Sequence, residues 1–320
     1  MKPCVDHHCA PPTNTIVTAC DKGYFWGVLL LLGSIRMNHC ELPIQVQTHG
    51  LSPRKAALLS RFKNVKVIPS QARSPHLNKP LALLHAQTEF VTWVDADCIF
   101  KGNLEPLLTP HKRGIHIRFR EAEENRRVYG LKVNKAEEDG STIPRNILET
   151  WQRDVGERKQ PLHNTQCVTN FVSVHKDSKA FLIHWAKQIE KLRLDSKQTV
   201  DNRSTAYFMT DESVFSSLLS FAQDSPPVYP YQLDQLADQR LVHFGMSLKP
   251  WSTWRKNHLK HYTYVMSIID YLQANFPELP PIPKALNKQY KHQSYIASAF
   301  ASALECMKYQ FKRLSNSLTA

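Results

Sequence analysis

Hydrophobic and polar positions change period repeatedly along this chain. Residues 14–20 form a β-rich run that ends in a turn at Asp21-Lys22-Gly23, and an apolar stretch of helical character follows over 24–37. Residues 44–47 alternate like a strand, Ser52-Pro53 opens a helix through Phe62, and 65–68 return to strand character. A short helix is predicted over 80–87. Residues 90–94 (Phe-Val-Thr-Trp-Val) read as a buried strand that stops at Asp95-Ala96-Asp97. Alternation of this kind predicts an α/β fold with a mostly parallel sheet flanked by helices.

Further on, 168–174 predicts a strand and 178–192 a helix. Another helix is expected over 211–221, where Val214, Phe215, Leu218 and Leu219 recur at helical spacing behind Thr210 or Asp211 as cap. The stretch 121–160 is charged, has few apolar positions and contains Gly130, Gly140 and Pro144, so it reads as a surface insertion or mobile loop. Residues 226–231 read as a Pro- and Tyr-rich connection. Beyond Trp254, long helical patterns are interrupted by Pro277, Pro280, Pro281 and Pro283. The expected organisation is a disordered tail over 1–13, a main α/β domain over 14–254 and a helical C-terminal extension over 255–320.

Composition narrows the picture. Among 320 residues no apolar run approaches the roughly 20 residues of a membrane span. The amino end lacks the apolar stretch of a secretory signal, and seven scattered cysteines fit reduced thiols, so a cytoplasmic setting is expected. A formal charge of +13 favours an anionic partner. The basic residues are spread out, with no zinc-finger or RNA-recognition signature, so nucleic acid is not the expected partner.

Asp95 and Asp97, one residue apart after a buried strand, suit a hard cation that keeps coordination positions open for a diphosphate. A solvated turn is the plainer alternative. A second signal is His243-Phe244-Gly245-Met246-Ser247-Leu248-Lys249-Pro250-Trp251, which comes after the short strand pattern Leu241-Val242. Here an imidazole offers a metal ligand, Gly245 allows close approach of backbone to phosphate, and Lys249 brings a point charge. A core histidine and a solvated lysine would explain the same residues.

Together these segments resemble glycosyltransferase family 8, the group of glycogenin and the bacterial lipopolysaccharide galactosyltransferases. That family pairs Asp-x-Asp with His-x-x-Gly-x-x-Lys-Pro-Trp. In this chain one residue, rather than two, separates His243 from Gly245. The resemblance implies a GT-A-like fold and metal-dependent transfer of a sugar from a nucleotide sugar, a UDP-sugar, to an acceptor hydroxyl with retention. It implies Mn2+ or Mg2+ held by Asp95, Asp97 and His243, with Lys249 on the phosphates. Residues 17–24 resemble the family's first strand and nucleotide-contacting loop, so Ala19, Asp21 and Tyr24 would meet the base. Lys79 lies where the family keeps a basic donor contact, and Asn170 would bond sugar hydroxyls. Asp211 would hold sugar hydroxyls, and Glu212, where the family often has an amide, would stabilise charge at the anomeric carbon.

Two other readings stay open: a sugar-nucleotide nucleotidyltransferase, and a non-catalytic basic protein that binds membranes or nucleic acid. The acceptor could be a glycan, a lipid-linked sugar or a small molecule. Near the carboxyl end Ile296, Phe300, Leu304, Met307, Phe311 and Leu314 recur at three- and four-residue steps, with Lys308, Lys312 and Arg313 close by. That stripe fits a peripheral membrane contact or packing on the core. Cys4, His7, His8 and Cys9 lack a second ligand pair at zinc-finger spacing. The sequon at Asn202 has meaning only in a secreted protein.

Overall fold

The computed structural model describes residues 13–72, 77–132, 142–192, 206–231, 240–245 and 247–318. The tail with Cys4, His7, His8 and Cys9, and the sequon at Asn202, lie outside these residues. The first half of the chain builds β1 (Asn14–Cys20), α1 (Phe25–Met37), β2 (Ile44–Thr48), α2 (Pro53–Ser60), β3 (Val65–Pro69), α3 (Asn78–His85) and β4 (Phe90–Val94). Then come β5 (Cys98–Phe100), α4 (Glu105–Leu108), β6 (Ile115–Phe119), α5 (Ala122–Lys132), α6 (Arg145–Val155), β7 (Cys167–His175), α7 (Lys179–Leu192) and α8 (Asp211–Phe221). The described elements end with β8 (Val228–Pro230), β9 (Leu241–His243), α9 (Tyr262–Asn275) and α10 (Lys291–Leu318).

Seven strands form one sheet in the order β3-β2-β1-β4-β7-β6-β8. Its pairings are parallel except where β7 meets β4 and β6, so the sheet is mostly parallel with one reversed strand. Residues alternate between its two faces. Ile16 and Val94 join a core with α1, α2 and α9, whereas Val17, Val91 and Trp93 join a core with α3, α6, α7 and α8. Val28, Leu29, Leu30, Leu31 and Leu32 are all fully buried, because α1 is enclosed by the sheet on one side and by α9 and β5 on the others. Tyr262, Val265, Ile268, Ile269 and Leu272 of α9 share this core.

The stretch over 121–160, read as a surface insertion or mobile loop, contains α5 and α6 and so is not simply a loop. Ile147 and Trp151 of α6 are buried, as are Asn125 and Tyr129 of α5. Of the residues read as loop signals, Pro144 precedes α6, Gly130 lies within α5 and Gly140 is outside the described residues, while Gly156, at φ 77°, terminates α6. The connection expected over 226–231 contains β8, which adds the outermost strand. On α10 the side chains of Ile296, Phe300, Leu304 and Met307 are exposed rather than packed on the core, whereas those of Phe311 and Leu314 lie outside the described residues. Among the described residues no helix is long and apolar enough to cross a membrane, and Cys20, Cys40, Cys98, Cys167 and Cys306 are free thiols.

Candidate active site

The strands β1, β2 and β4 run parallel, and their carboxyl ends open on one cleft, the place where ligands bind in open α/β sheets. The cleft holds about 340 Å³ and is lined by Ala19, Cys20, Asp21 and Tyr24 after β1, His49 after β2, Asn78 and Lys79 at the start of α3, Trp93, Asp95, Ala96 and Asp97 at β4, and Asp211 opening α8. That size suits a small-molecule site. Asp21 shapes its own loop: Oδ1 accepts the backbone N–H of Gly23 (2.8 Å) and of Tyr24 (3.1 Å). Burial raises the Tyr24 hydroxyl above its ordinary range and pushes the Cys20 thiol up to about 12, so both keep their protons.

The turn Asp95-Ala96-Asp97 is held from two sides. The N–H of Asp95 donates to the carbonyl of Asn170 (2.9 Å), and the carbonyl of Asp97 accepts the N–H of Phe244 (2.9 Å). β5 then pairs antiparallel with β9, which sets Cys98 opposite His243. This small ladder brings together residues almost 150 positions apart in sequence: Nε2 of His243 lies 3.4 Å from Oδ1 of Asp97, and Nζ of Lys249 lies 2.5 Å from Oδ2. Lys249 also donates to the carbonyl of Phe244 (2.9 Å) and sits 5.5 Å over the Tyr24 ring. Burial alone would raise the Asp97 carboxyl. The His243 hydrogen bond and the charges of His243 and Lys249 outweigh it and hold the group well below the carboxylate range. Asp95 shifts the other way, chiefly because burial penalises its charge.

Gly27 of α1 brings that helix against the turn. A Cβ there would lie 2.5 Å from the carbonyl of Ala96 and 2.6 Å from the Trp251 ring. Trp251 in turn donates to the carbonyl of Gly23 (2.9 Å) and meets Tyr24 edge-on at 5.7 Å. The segment after β9 therefore clamps both the loop after β1 and the turn after β4.

Lys79 faces the other end of the cleft. Its Nζ lies 2.9 Å from Oδ2 of Asp211, 3.2 Å from Oδ1 of Asp95 and 2.9 Å from Oγ1 of Thr169. Burial opposes its charge, but Asp211 and Asp95 overcome that and keep the ammonium protonated. Oδ1 of Asp95 also accepts from Nε1 of Trp93 (2.6 Å).

The structure thus brings Ala19, Asp21, Tyr24, Lys79, Asp95, Asp97 and Asp211 to one cleft, with His243 and Lys249 against Asp97. Glu212, expected under a reacting carbon, is not among these lining residues. Its Oε1 accepts from Arg120 (2.8 Å) and Gln166 (3.3 Å), and Oε2 from the N–H of Thr169 (3.1 Å). Glu212 is buried among these partners. Asn170 holds Asp95 by its carbonyl, while its side chain reaches Cys98. Gly245 lies against the His243 ring, where a Cβ would come within 3.1 Å. His49, Asn78, Cys20 and Trp93 line the cleft without having been singled out in the sequence.

The donor set suits a cation such as Mn2+: a carboxylate and an imidazole already face each other at Asp97 and His243, and Asp95 stands close by in the same turn. Candidate ligand atoms of Asp97, Cys98 and His243 lie within 4.8 Å of one another. Burial raises the Cys98 thiol well above its ordinary value.

No protein-family model matches the chain, and no curated protein matches it in sequence. Solved structures match it in fold. The apo structure of the bifunctional glycosyltransferase WbbM matches at TM-score 0.52 and 14% identity, over 84% of this chain and 50% of that one. The chain therefore spans about half the length of WbbM. The galactosyltransferase LgtC, solved with donor and acceptor sugar analogues, matches at TM-score 0.48 and 12% identity, over 87% of this chain and 99% of that one. GlyE of Streptococcus pneumoniae TIGR4, also a glycosyltransferase, matches at TM-score 0.48 and 12% identity, over 89% and 64%. The architecture is the GT-A-like one expected, a mostly parallel α/β sheet flanked by helices.

Proposed function

We propose that this protein is a glycosyltransferase that moves a sugar from a nucleotide sugar, most simply a UDP-sugar, to an acceptor hydroxyl. The observation that carries the reading is the meeting of Asp97 with both His243 and Lys249 at the mouth of a cleft that Asp21 and Tyr24 also line. Asp21, Ala19 and Tyr24 take the nucleoside, with the Tyr24 ring as a stacking surface. Asp95, Asp97 and His243 hold a divalent cation, Mn2+ or Mg2+, whose charge offsets that of the diphosphate when it is bound.

Lys249, now paired with Asp97, turns its ammonium to the diphosphate and stabilises the leaving nucleotide. Lys79 and Asp211 hold each other at 2.9 Å beside Asp95 and present a donor and an acceptor to the sugar hydroxyls. Asp211, rather than Glu212, is the carboxylate placed to meet positive charge at the anomeric carbon, and transfer proceeds with retention. Glu212 acts behind it, through the N–H of Thr169 and the guanidinium of Arg120.

The acceptor is a glycan, a lipid-linked sugar or a small molecule. A peripheral membrane contact through α10 belongs to the same reading, since Ile296 is 72% and Phe300 68% exposed on a helix flanked by lysines. The test is a panel of nucleotide sugars assayed for Mn2+-dependent release of the nucleotide. One UDP-sugar turned over with metal and spared with chelator is the expected result. A panel with no metal-dependent release and no metal-dependent nucleotide binding would remove the reading.

A further inference from the structure

The C-terminal helix α10 is seated the wrong way round for its pattern. Ser294 and Ser298 are buried, Ser302 accepts the N–H of Lys256 at 3.0 Å, and Glu305 turns inward, while Ile296 and Phe300 face out. An amphipathic helix on a soluble core ordinarily buries its apolar stripe. Here the orientation of α10 about its axis is fixed by polar contacts, and those of Glu305 converge on the segment after β9.

Oε1 of Glu305 accepts from Oγ of Ser247 at 2.5 Å, and Oε2 lies 3.2 Å from Nε of Arg255. Ser247 lies just before Lys249, and Arg255 just after Trp254, so one carboxylate grips both ends of the stretch that carries Lys249, Pro250 and Trp251. Within that stretch the chain turns tightly: the N–H groups of Ser252 and Thr253 both donate to the carbonyl of Lys249 (2.9 and 2.8 Å). Lys249 then crosses to Asp97, and Trp251 crosses to Gly23. Loosening either end of this stretch would let the lysine and the tryptophan drift together.

We propose that Glu305 is a positioning residue of the donor site, and that α10 is the strut that presents Lys249 to the donor diphosphate. This rests on the reading of Lys249 as a phosphate contact. Glu305 touches no donor atom; it acts by closing the stretch between Ser247 and Arg255. A contact that orders a binding loop shows up in the concentration of donor needed, and less in the rate once donor is bound.

Steady-state kinetics on the full chain, at saturating Mn2+ with the UDP-sugar found active, test this. Glu305→Ala is expected to raise the donor KM about fivefold to tenfold while kcat stays within about twofold, on the scale of one charge-assisted hydrogen bond. Ser247→Ala should raise KM in the same direction, and the double variant should be no worse than Glu305→Ala. Glu305→Gln, which can still accept from Ser247, should recover part of the loss. In a Lys249→Ala background, Glu305→Ala should add less than about twofold to KM. If Glu305→Ala does not fold, Ser247→Ala at the exposed end of the clasp carries the test alone. An unchanged donor KM in the folded Glu305 and Ser247 variants, with Lys249→Ala raising it, would overturn the clasp. An unchanged KM in Lys249→Ala itself would remove the phosphate reading, and the clasp with it.

Discussion

Two clusters of carboxylates and cations lie close together, and they differ in whether they line the cleft. In the first, Asp97 faces His243 at 3.4 Å and Lys249 at 2.5 Å, with Asp95 beside it, and the group opens on the cleft. In the second, Glu212 is enclosed. Both of its oxygens accept hydrogen bonds from neighbouring residues, and its partner Arg120 also holds Glu124 at 2.6 Å. A buried charge that is fully paired belongs to the scaffold, and one that still faces an open cleft has capacity left for a ligand. Lys79 stands between them, bound to Asp95 on one side and to Asp211, the neighbour of Glu212, on the other.

The sharpest way to break this contrast is to remove one charge from each cluster. Asp97→Asn should lower turnover by about a hundredfold or more, because a cation ligand and the anchor of Lys249 are lost together. Its melting temperature should also fall, because buried Lys249 loses its carboxylate partner. Kinetics beside a thermal melt would check both parts, and a variant that turned over normally would sink the assignment.

Glu212→Gln should lose stability with far less of the turnover. It leaves Arg120 buried with only Glu124 to offset it, at a cost of about 2 kcal/mol of stability. Turnover should fall less than tenfold, because the residue acts only through Thr169 and Arg120. A hundredfold loss of kcat with unchanged stability would mean that Glu212 meets the substrate after all.

The smallest expected effect concerns pH and the helical wall behind the first cluster. Burial, and then the nearby charge of Arg255, lowers the His258 imidazole to about 4, and its ring packs edge-on to Phe244 at 5.3 Å. The unfolded chain takes up a proton near the ordinary histidine value of about 6.5, while the folded one resists until about 4. The stability from neutral His258 is therefore complete above about pH 6.5 and is lost as pH falls from there towards 4. Melting curves of wild type and His258→Gln across that window should converge at the acid end. Parallel curves would show that His258 is not the group involved.

Much of the first half of the fold was legible. Strands β1 to β4 alternate or run apolar over short stretches, and Asp21-Lys22-Gly23 and Ser52-Pro53 punctuate them, so local signals agree there. The reversal of β7 was not legible, because strand direction depends on which distant neighbour a strand pairs with. α6 was missed for another reason. Ile147, Trp151 and Val155 do recur every four residues, but charged neighbours and flanking loop signals hid a stripe that is one residue wide.

The site divides in the same way. Asp95, Asp97, His243 and Lys249 carry short-range motifs, so they could be named before their geometry was known. His49 could have been found from the residues just past the carboxyl end of each parallel strand, since it comes directly after β2 as Asp21 does after β1. Nothing near Arg120 in sequence marks it as the partner of Glu212, 92 residues away.

The assignment of a cation to Asp95, Asp97 and His243 is tested most directly by a calorimetric titration of UDP into the protein with Mn2+ present, repeated with chelator and repeated with Asp97→Asn. The wild type should bind with metal, and chelator or the variant should each lower affinity by about tenfold or more. Equal affinity in all three titrations would contradict the assignment, because UDP would then be held without the cation that these three residues are assigned to hold.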